Sequence, residues 1–191
     1  GGPTRRTRWT AALVRSPDGS ELISLDTTLP NRLLAPALGS GTLEEFQGWS
    51  LEAREWAHGR SRFDFLLGRE SGERLVLEVK SVTLVEGRTA LFPDAVTSRG
   101  ARHVRELAEF ARRSGWRAAV LFVVQRADAD RIHPAREIDP EFADALVEAH
   151  AAGVQVFGRR SRVELDAVTL GDPVQVLLPT PGNSDGQEPL E

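Results

Sequence analysis

Two apolar runs joined by a short polar connection, within Ser61–Lys80, constrain the fold of this chain more than any other stretch. The first run reads Ser-Arg-Phe-Asp-Phe-Leu-Leu, the connection contains two glycines, and the second run reads Leu-Val-Leu-Glu-Val-Lys. This pattern predicts a β-hairpin, in which successive side chains point to opposite faces of the sheet. The alternation places three apolar residues of the first run on one face: Phe63, Phe65 and Leu67. Asp64 is predicted to lie on the other face.

The second run carries an acid and an amine two residues apart. Glu78 and Lys80 are predicted to share one face of their strand, and Leu77 and Val79 the opposite face. With Asp64 they would form a cluster of two acids and one amine. The alternative interpretation is a solvated face, or a cross-strand ion pair worth under about 1 kcal/mol. We favour a functional cluster because the flanking apolar residues indicate buried strands, where charges need partners or a metal.

Composition draws attention to the same cluster. Lys80 is the only lysine among 24 Lys and Arg residues. Arginine cannot replace lysine where the chemistry needs a compact, titratable ammonium on a flexible stem. Keeping a lysine at this one position therefore indicates a chemical demand, with chance as the alternative.

Three blocks of the sequence closely resemble the sugar fermentation stimulation protein A family. They are Ser-Arg-Phe-Asp-Phe-Leu-Leu at 61–67, Glu-Val-Lys-Ser-Val-Thr-Leu at 78–84 and Phe-Pro-Asp-Ala-Val-Thr-Ser-Arg-Gly-Ala-Arg-His at 92–103. Their order and spacing are highly specific, and the likeness runs from about Trp9 to Pro179. The core of that family resembles the PD-(D/E)xK nucleases, which carry an acid on one strand and an acid-x-Lys on the next.

The resemblance implies that Asp64, Glu78 and Lys80 take the three catalytic positions of such a nuclease. Two neighbouring carboxylates repel each other, and a hard divalent cation such as Mg²⁺ or Mn²⁺ between them makes the arrangement favourable. Asp64 and Glu78 are therefore the expected metal ligands. The family pattern has another acid at about the position of Glu55, which is a third candidate ligand or a supporting partner. A surface acid paired with Arg54 or Arg60 is the alternative interpretation of Glu55.

The function that follows first is a divalent-metal-dependent nuclease acting on DNA or RNA. Lys80 would orient the attacking water or stabilise negative charge that develops on the phosphate. The family is also described as DNA-binding and linked to sugar metabolism, particularly that of maltose. A non-catalytic DNA-binding regulator on a nuclease scaffold is therefore the alternative. The intact acids favour the nuclease, because a pure binder gains little from acids placed where a phosphate must lie.

The segment from Arg99 to Arg117 is the most basic part of the chain, with six arginines and two acids. It begins with a predicted helix, and by the family pattern Arg99, Arg102 and His103 are candidate nucleic-acid contacts at its first turn. A phosphate there would also meet the free N–H groups of the helix N-terminus. The alternative is a solvated helix face with ion pairs four residues apart. Those pairs would be Arg102–Glu106 and Arg105–Glu109.

The remaining composition restricts the class of protein. The chain has 191 residues, of which 40% are hydrophobic and 27% charged, and it has no cysteine. That predicts a globular protein with about one core and excludes disulfides and thiolate zinc sites. The sequence shows no signal peptide or membrane span, so we expect a cytoplasmic protein with no membrane partner. A formal net charge of −4 means that nucleic-acid binding must come from a local patch.

We predict three segments along the chain. By resemblance, residues 1–26 are the remnant of an N-terminal OB-fold-like domain, and most of that domain has no counterpart here. Residues 27–179 form the nuclease-like domain, and the Pro, Gly, Ser and acid-rich tail at 180–191 is predicted to be disordered. The chain begins with Gly1 and has no methionine, which suggests a trimmed or incomplete terminus. The expected partners are DNA or RNA, and a homodimer is compatible with these expectations.

Periodicity and capping residues predict an α/β fold independently of the resemblance. Helices are expected at 28–38, 42–47 and 98–114, and another begins with Asp139 as its N-cap and Pro140 in its first turn. Strands are expected at 50–58, 118–125, 154–157, 161–170 and 174–178, with a loop at 126–136. The order of elements predicts a mixed sheet with flanking helices, and the resemblance makes it a restriction-endonuclease-like core.

Overall fold

The structure, a computed structural model, describes residues 10–179. The predicted disordered tail and Trp9 lie outside that range. Within it the chain forms three α-helices, three β-sheets and one turn of 3₁₀ helix at Glu44–Phe46. The helices are α1 (Leu29–Gly39), α2 (Ser98–Ala111) and α3 (Pro140–Ala151). None of the described helices is long and apolar enough to cross a membrane.

A six-stranded mixed sheet forms the centre of the molecule. In spatial order its strands are β11 (Val168–Pro173), β10 (Gln155–Val163), β8 (Trp116–Val124), β5 (Arg74–Val82), β4 (Ser61–Gly68) and β3 (Ser50–His58). Strands β3, β4 and β5 form an antiparallel meander, whereas β5, β8 and β10 are parallel. The predicted hairpin is therefore confirmed, and its second strand lies centrally in the sheet.

The helices cover both faces of this sheet. On one face Leu34 and Leu38 of α1 pack in a buried cluster with Leu77 of β5. On the other face α2 and α3 pack in a second cluster, to which Val104 of α2 and Val120 of β8 belong. The layered α/β architecture predicted from periodicity is thus confirmed.

A four-stranded sheet and a short ribbon complete the fold. The sheet contains β6 (Leu84–Glu86), β7 (Thr89–Phe92), β9 (Arg131–Pro134) and β12 (Gln175–Val176), and the ribbon pairs β1 (Leu13–Arg15) with β2 (Leu22–Ser24). Gly158 of β10 allows the smaller sheet to approach closely, because a Cβ there would lie 2.6 Å from Ile132 Cδ1. The ribbon is attached to the central sheet by a 3.0 Å hydrogen bond from Ser24 N to Gln125 O.

Asp139 connects the beginnings of two helices. As predicted it caps α3, since its Oδ1 accepts a hydrogen bond from the Phe142 N–H at 2.9 Å. Its Oδ2 accepts another from the Thr97 N–H at 2.7 Å. Thr97 in turn caps α2, its hydroxyl accepting from the Gly100 N–H at 3.0 Å. One buried carboxylate therefore fixes the entry points of α2 and α3 together.

Several predicted boundaries are wrong. The loop expected at 126–136 contains β9, and the strand expected at 161–170 is divided between the end of β10 and the beginning of β11. Helix α2 ends at Ala111, and Gly115 lies in the following turn with a φ of +76°. These elements are short or depend on partners distant in sequence, so local patterns do not define them.

The expected alternation along β4 is also wrong at one point. Phe65 packs in the cluster below α1, whereas Phe63 packs in the cluster below α2 and α3. The break lies at Asp64, beside the place where Glu55 of β3 has a left-handed φ of +49°. A left-handed non-glycine residue distorts the strand pair at this level, so strict alternation no longer applies.

Candidate active site

The strands bring Asp64 close to Glu78 and Lys80 where β4 separates from β5. The pairing of these strands extends only as far as Phe65 opposite Leu77. Beyond that point, Asp64 Oδ2 accepts a hydrogen bond of 2.7 Å from the backbone N–H of Val79. Where β4 no longer pairs with β5, the Asp64 carboxylate thus replaces a backbone carbonyl as the acceptor for Val79. It lies there beside Glu78 and Lys80 of β5.

Glu78 lies between two donors. Its Oε1 is 2.7 Å from Lys80 Nζ and 2.9 Å from His103 Nδ1, and all three residues are buried. A carboxylate can only accept, so His103 Nδ1 carries the hydrogen and donates it. Glu78 Oε2 is buried and has no hydrogen-bond partner among the described residues. One oxygen of this carboxylate is held firmly, and the other is free.

Asp64 has a donor on each oxygen. Asn31, in the first turn of α1, donates from Nδ2 to Asp64 Oδ1 at 2.6 Å. The Val79 N–H occupies the other oxygen. Donors at both ends fix the plane of the Asp64 carboxylate.

The electrostatics of the two acids differ. Burial, together with the charge of Glu78, raises the pKa of Asp64, and this outweighs its hydrogen bonds to Val79 and Asn31. Burial acts in the same direction on Glu78, but the hydrogen bond from His103 and the charge of Lys80 hold the pKa of Glu78 below its usual value. Glu78 is thus the acid of the pair that ionises more readily, and its proximity makes ionisation of Asp64 less favourable.

The structure places Glu55 at the surface. Its side chain is exposed, and its Oε2 lies 3.3 Å from Arg62 NH1. This corresponds to the alternative interpretation of a surface acid paired with an arginine, although the partner is Arg62 and not Arg54 or Arg60. Among residues 10–179 no three Asp, Glu or His side chains form a ready-made metal cage.

The predicted nucleic-acid contacts fall in different environments. Arg99 is exposed in the first turn of α2, and Arg102 lies 3.7 Å from Glu106, as its alternative interpretation predicted. His103 is only 2% exposed and faces Glu78 instead of solvent. The expected Arg105–Glu109 pair is wrong, because Arg105 pairs with Glu141 of α3 at 2.8 Å.

Sequence reasoning did not identify Asn31 as a site residue and did not connect His103 with Glu78. A signal was present for both. Asn31 lies three residues before the buried Leu34, and His103 lies four residues before the buried Leu107. A polar residue in register with the apolar stripe of a helix indicates a buried polar contact.

Two clefts in the surface lie away from this cluster. One has a volume of about 330 Å³ and the other about 280 Å³. Their walls are formed by two separate sets of residues: Glu45, Trp49, Arg69, Arg117, Gly153 and Gln155, and Ala127, Arg160, Ser161, Arg162, Gly171 and Asp172. Neither wall includes Asp64, Glu78 or Lys80, so cleft size alone would not identify this cluster as the candidate site.

Comparison with known proteins gives one consistent result. Residues 28–167 match the family described as the sugar fermentation stimulation protein RE domain. A sugar fermentation stimulation protein homolog of Moorella thermoacetica is 47% identical over 174 residues, which are 91% of this chain and 74% of that protein. The homolog of Shouchella clausii is 45% identical over 176 residues, covering 92% of this chain and 75% of that protein.

A solved structure is similar as well. It is that of Pyrococcus furiosus SfsA in complex with Ca²⁺, with a TM-score of 0.76 and 30% sequence identity. The match covers 82% of this chain and 68% of that one. The described fold is therefore shared with a relative whose structure is known.

Proposed function

The chain belongs to the sugar fermentation stimulation protein family, and on that premise we propose that it is a divalent-metal-dependent nuclease that hydrolyses phosphodiester bonds in DNA or RNA. The main evidence for this proposal is the cluster of Asp64, Glu78 and Lys80, which lies where β4 separates from β5. Holding a half-buried acid beside a buried acid and a buried amine is costly for a protein, which favours a catalytic role for them. On the basis of the same three residues we also propose that the fold is of the PD-(D/E)xK type.

The residues of the cluster fit a hard divalent cation such as Mg²⁺ or Mn²⁺. Glu78 Oε2 has no partner among the described residues, and a positive ion would offset the burial and the repulsion from Glu78 that together raise the pKa of Asp64. Mg²⁺ is commonly held by one or two carboxylates, with water and substrate phosphate as its other ligands. Asp64 and Glu78 would hold the ion here, and Glu55 remains a predicted third ligand. The Ca²⁺ named with the related Pyrococcus furiosus protein supports this assignment.

Chemistry at this site divides between the metal and the chain. When bound, a divalent cation supplies Lewis-acid polarisation of the scissile phosphate. Lys80 would donate a hydrogen bond to the attacking water or to the negative charge that develops on the phosphate. Its ammonium is held by Glu78, so its direction is set before substrate arrives. Arg99 would contact a neighbouring phosphate from its exposed position at the beginning of α2.

The second candidate function is a non-catalytic DNA-binding regulator of genes for sugar metabolism. The exposed Arg99 at the beginning of α2 favours it, because this arginine and the helix N-terminus can bind a phosphate without any turnover. In both cases we propose that residues 27–179 form the functional domain and that the ribbon within 1–26 derives from an OB-fold-like domain.

The test is cleavage of labelled single-stranded DNA, double-stranded DNA and RNA in Mg²⁺, Mn²⁺ or EDTA. We expect cleavage by the wild type with metal only, and none by Asp64→Asn. Lys80→Arg should lose about 100-fold or more in single-turnover rate, because a planar guanidinium does not replace an oriented ammonium. Glu55→Gln serves as the matched control that separates the two interpretations of Glu55. DNA binding without cleavage by every variant would favour the regulator.

A further inference from the structure

Two helices on opposite faces of the central sheet each direct one polar side chain at one of the two acids. Asn31 of α1 donates to Asp64 at 2.6 Å, and His103 of α2 contacts Glu78 at 2.9 Å. Both contacts join residues far apart in sequence, by 33 and 25 positions. The separation of the two carboxylates is thus controlled from both layers of helices.

We propose that Asn31 and His103 are positioning residues that orient Asp64 and Glu78 for a divalent cation. The proposal rests on the proposed function and extends it to two residues that would touch neither metal nor substrate. Such supporting hydrogen bonds commonly decide how tightly a metal is held, because they fix the orientation of the ligand before the metal binds.

The contacts of His103 favour this role over simple packing. Its ring is 2% exposed and lies 5.4 Å from the ring of Phe63, in surroundings that an apolar side chain could fill. His103 Nε2 has no hydrogen-bond partner among the described residues, so Glu78 is the one side chain there that forms a hydrogen bond with the ring. A buried polar side chain with a single partner is costly, which indicates that the contact with Glu78 is the reason for its presence.

The distribution of donors on the carboxylates supports the same conclusion. His103 and Lys80 both bind Glu78 Oε1, which leaves Oε2 without a donor among the described residues and available to a cation. Asp64 instead receives one donor on each oxygen, from Asn31 and from the Val79 N–H. Each oxygen still has a second lone pair, so a carboxylate held in this plane can also bind a cation.

The experiment is calorimetric titration of Mn²⁺ alone into the wild type, His103→Asn and His103→Leu. Asparagine can place an N–H donor near the position of His103 Nδ1, and leucine has a similar shape without a donor. We expect His103→Leu to weaken Mn²⁺ binding by about 10-fold or more and His103→Asn to stay within about threefold of the wild type. Thermal unfolding without metal, measured on the same proteins, separates this effect from loss of folding.

Asn31→Leu tests the other half of the proposal at a half-buried position, so the test survives if His103→Leu does not fold. It should also weaken Mn²⁺ binding by about 10-fold. Leucine variants that bind Mn²⁺ as tightly as the wild type would overturn this inference but not the proposed function. Equal losses in His103→Asn and His103→Leu would overturn it too, since they would indicate packing. Absence of Mn²⁺ binding by the wild type would overturn the proposed function and this inference with it.

Discussion

At the scale of single residues, the two carboxylates of the cluster have opposite electrostatic settings. Asp64 has a raised pKa because it is buried beside Glu78, whereas Glu78 has a lowered one because His103 and Lys80 outweigh its burial. Pairs of acids whose environments separate their pKa values are a common mark of a site that handles charge. Here the separation comes from which donors each acid receives.

The raised pKa of Asp64 predicts how stability depends on pH. A carboxyl whose pKa is higher in the folded state binds more protons there, so its contribution to the free energy of unfolding decreases as pH rises through the interval above 3.8. Asp64→Asn removes this contribution. Without metal, the variant should therefore gain stability relative to the wild type as pH rises through that interval, and the difference should then level off.

Chemical denaturation of both proteins between about pH 4 and 8 in EDTA checks this prediction, because the pH dependence of stability reports the difference in bound protons between the folded and unfolded states. The opposite contribution from Glu78 is present in both proteins and largely cancels in the difference. Addition of Mg²⁺ should stabilise the wild type and leave Asp64→Asn almost unchanged. A stability difference between the two proteins that does not vary with pH would contradict a raised pKa of Asp64 in the folded state.

At the scale of elements, the close contact between the beginnings of α2 and α3 depends on Gly100. A Cβ at this position would lie 2.7 Å from Thr97 Cγ2 and 3.3 Å from Phe142 Cδ2. Thr97 cannot move aside easily, because its hydroxyl caps α2 and its N–H is bound by Asp139. The general preference of helices for alanine over glycine, about 1 kcal/mol, is therefore outweighed here.

We predict that Gly100→Ala lowers the free energy of unfolding by about 1 to 3 kcal/mol, the usual cost of overpacking. Gly39, at the end of α1, is the matched control, because a Cβ there would meet no atom within 4 Å. Gly39→Ala should be neutral or slightly stabilising. Urea denaturation of both variants measures the difference, and equal effects at the two glycines would show that the contact between the helices tolerates a methyl group.

The elements also show how far the sequence could be interpreted. The hairpin, β8 and the cap at Asp139 were predictable because each has a strong local pattern: alternation, a continuous apolar run and an acid before proline. The smaller sheet was predictable only in part: β12 lies within the strand expected at 174–178, whereas β9 lies in the expected loop, and both are short and pair with strands distant in sequence. The cluster of Asp64, Glu78 and Lys80 followed from strand alternation and the family resemblance. The helical register of Asn31 and His103 indicated polar contacts in the interior, but the partners of these contacts depend on helix docking, which no local pattern determines.

At the scale of the whole molecule, the net charge of −4 requires that any nucleic-acid contact be local. Among residues 10–179, Arg99 has no ion-pair partner, and it is exposed at the beginning of the helix that carries His103. Arg105, on the same helix, is neutralised by Glu141. The two arginines therefore differ in the charge that they can offer to a phosphate.

We predict that Arg99→Ala weakens DNA binding similarly for all sequences and reduces the slope of log affinity against log salt by about 1. Arg105→Ala is the control and should change both quantities little. Fluorescence anisotropy with labelled DNA over a range of salt concentrations, in EDTA to prevent cleavage, measures them. Equal slopes for Arg99→Ala and the wild type would place the contact surface elsewhere.

Anomalous diffraction from crystals soaked in Mn²⁺ shows directly whether Asp64 and Glu78 together hold a divalent cation. We expect a peak within coordination distance of an Asp64 oxygen and of Glu78 Oε2, the oxygen that has no partner among the described residues. The peak should be absent from crystals of Asp64→Asn treated in the same way. A wild-type crystal with no peak at this position, at Mn²⁺ concentrations that support cleavage, would contradict the proposal that these two carboxylates bind a divalent cation.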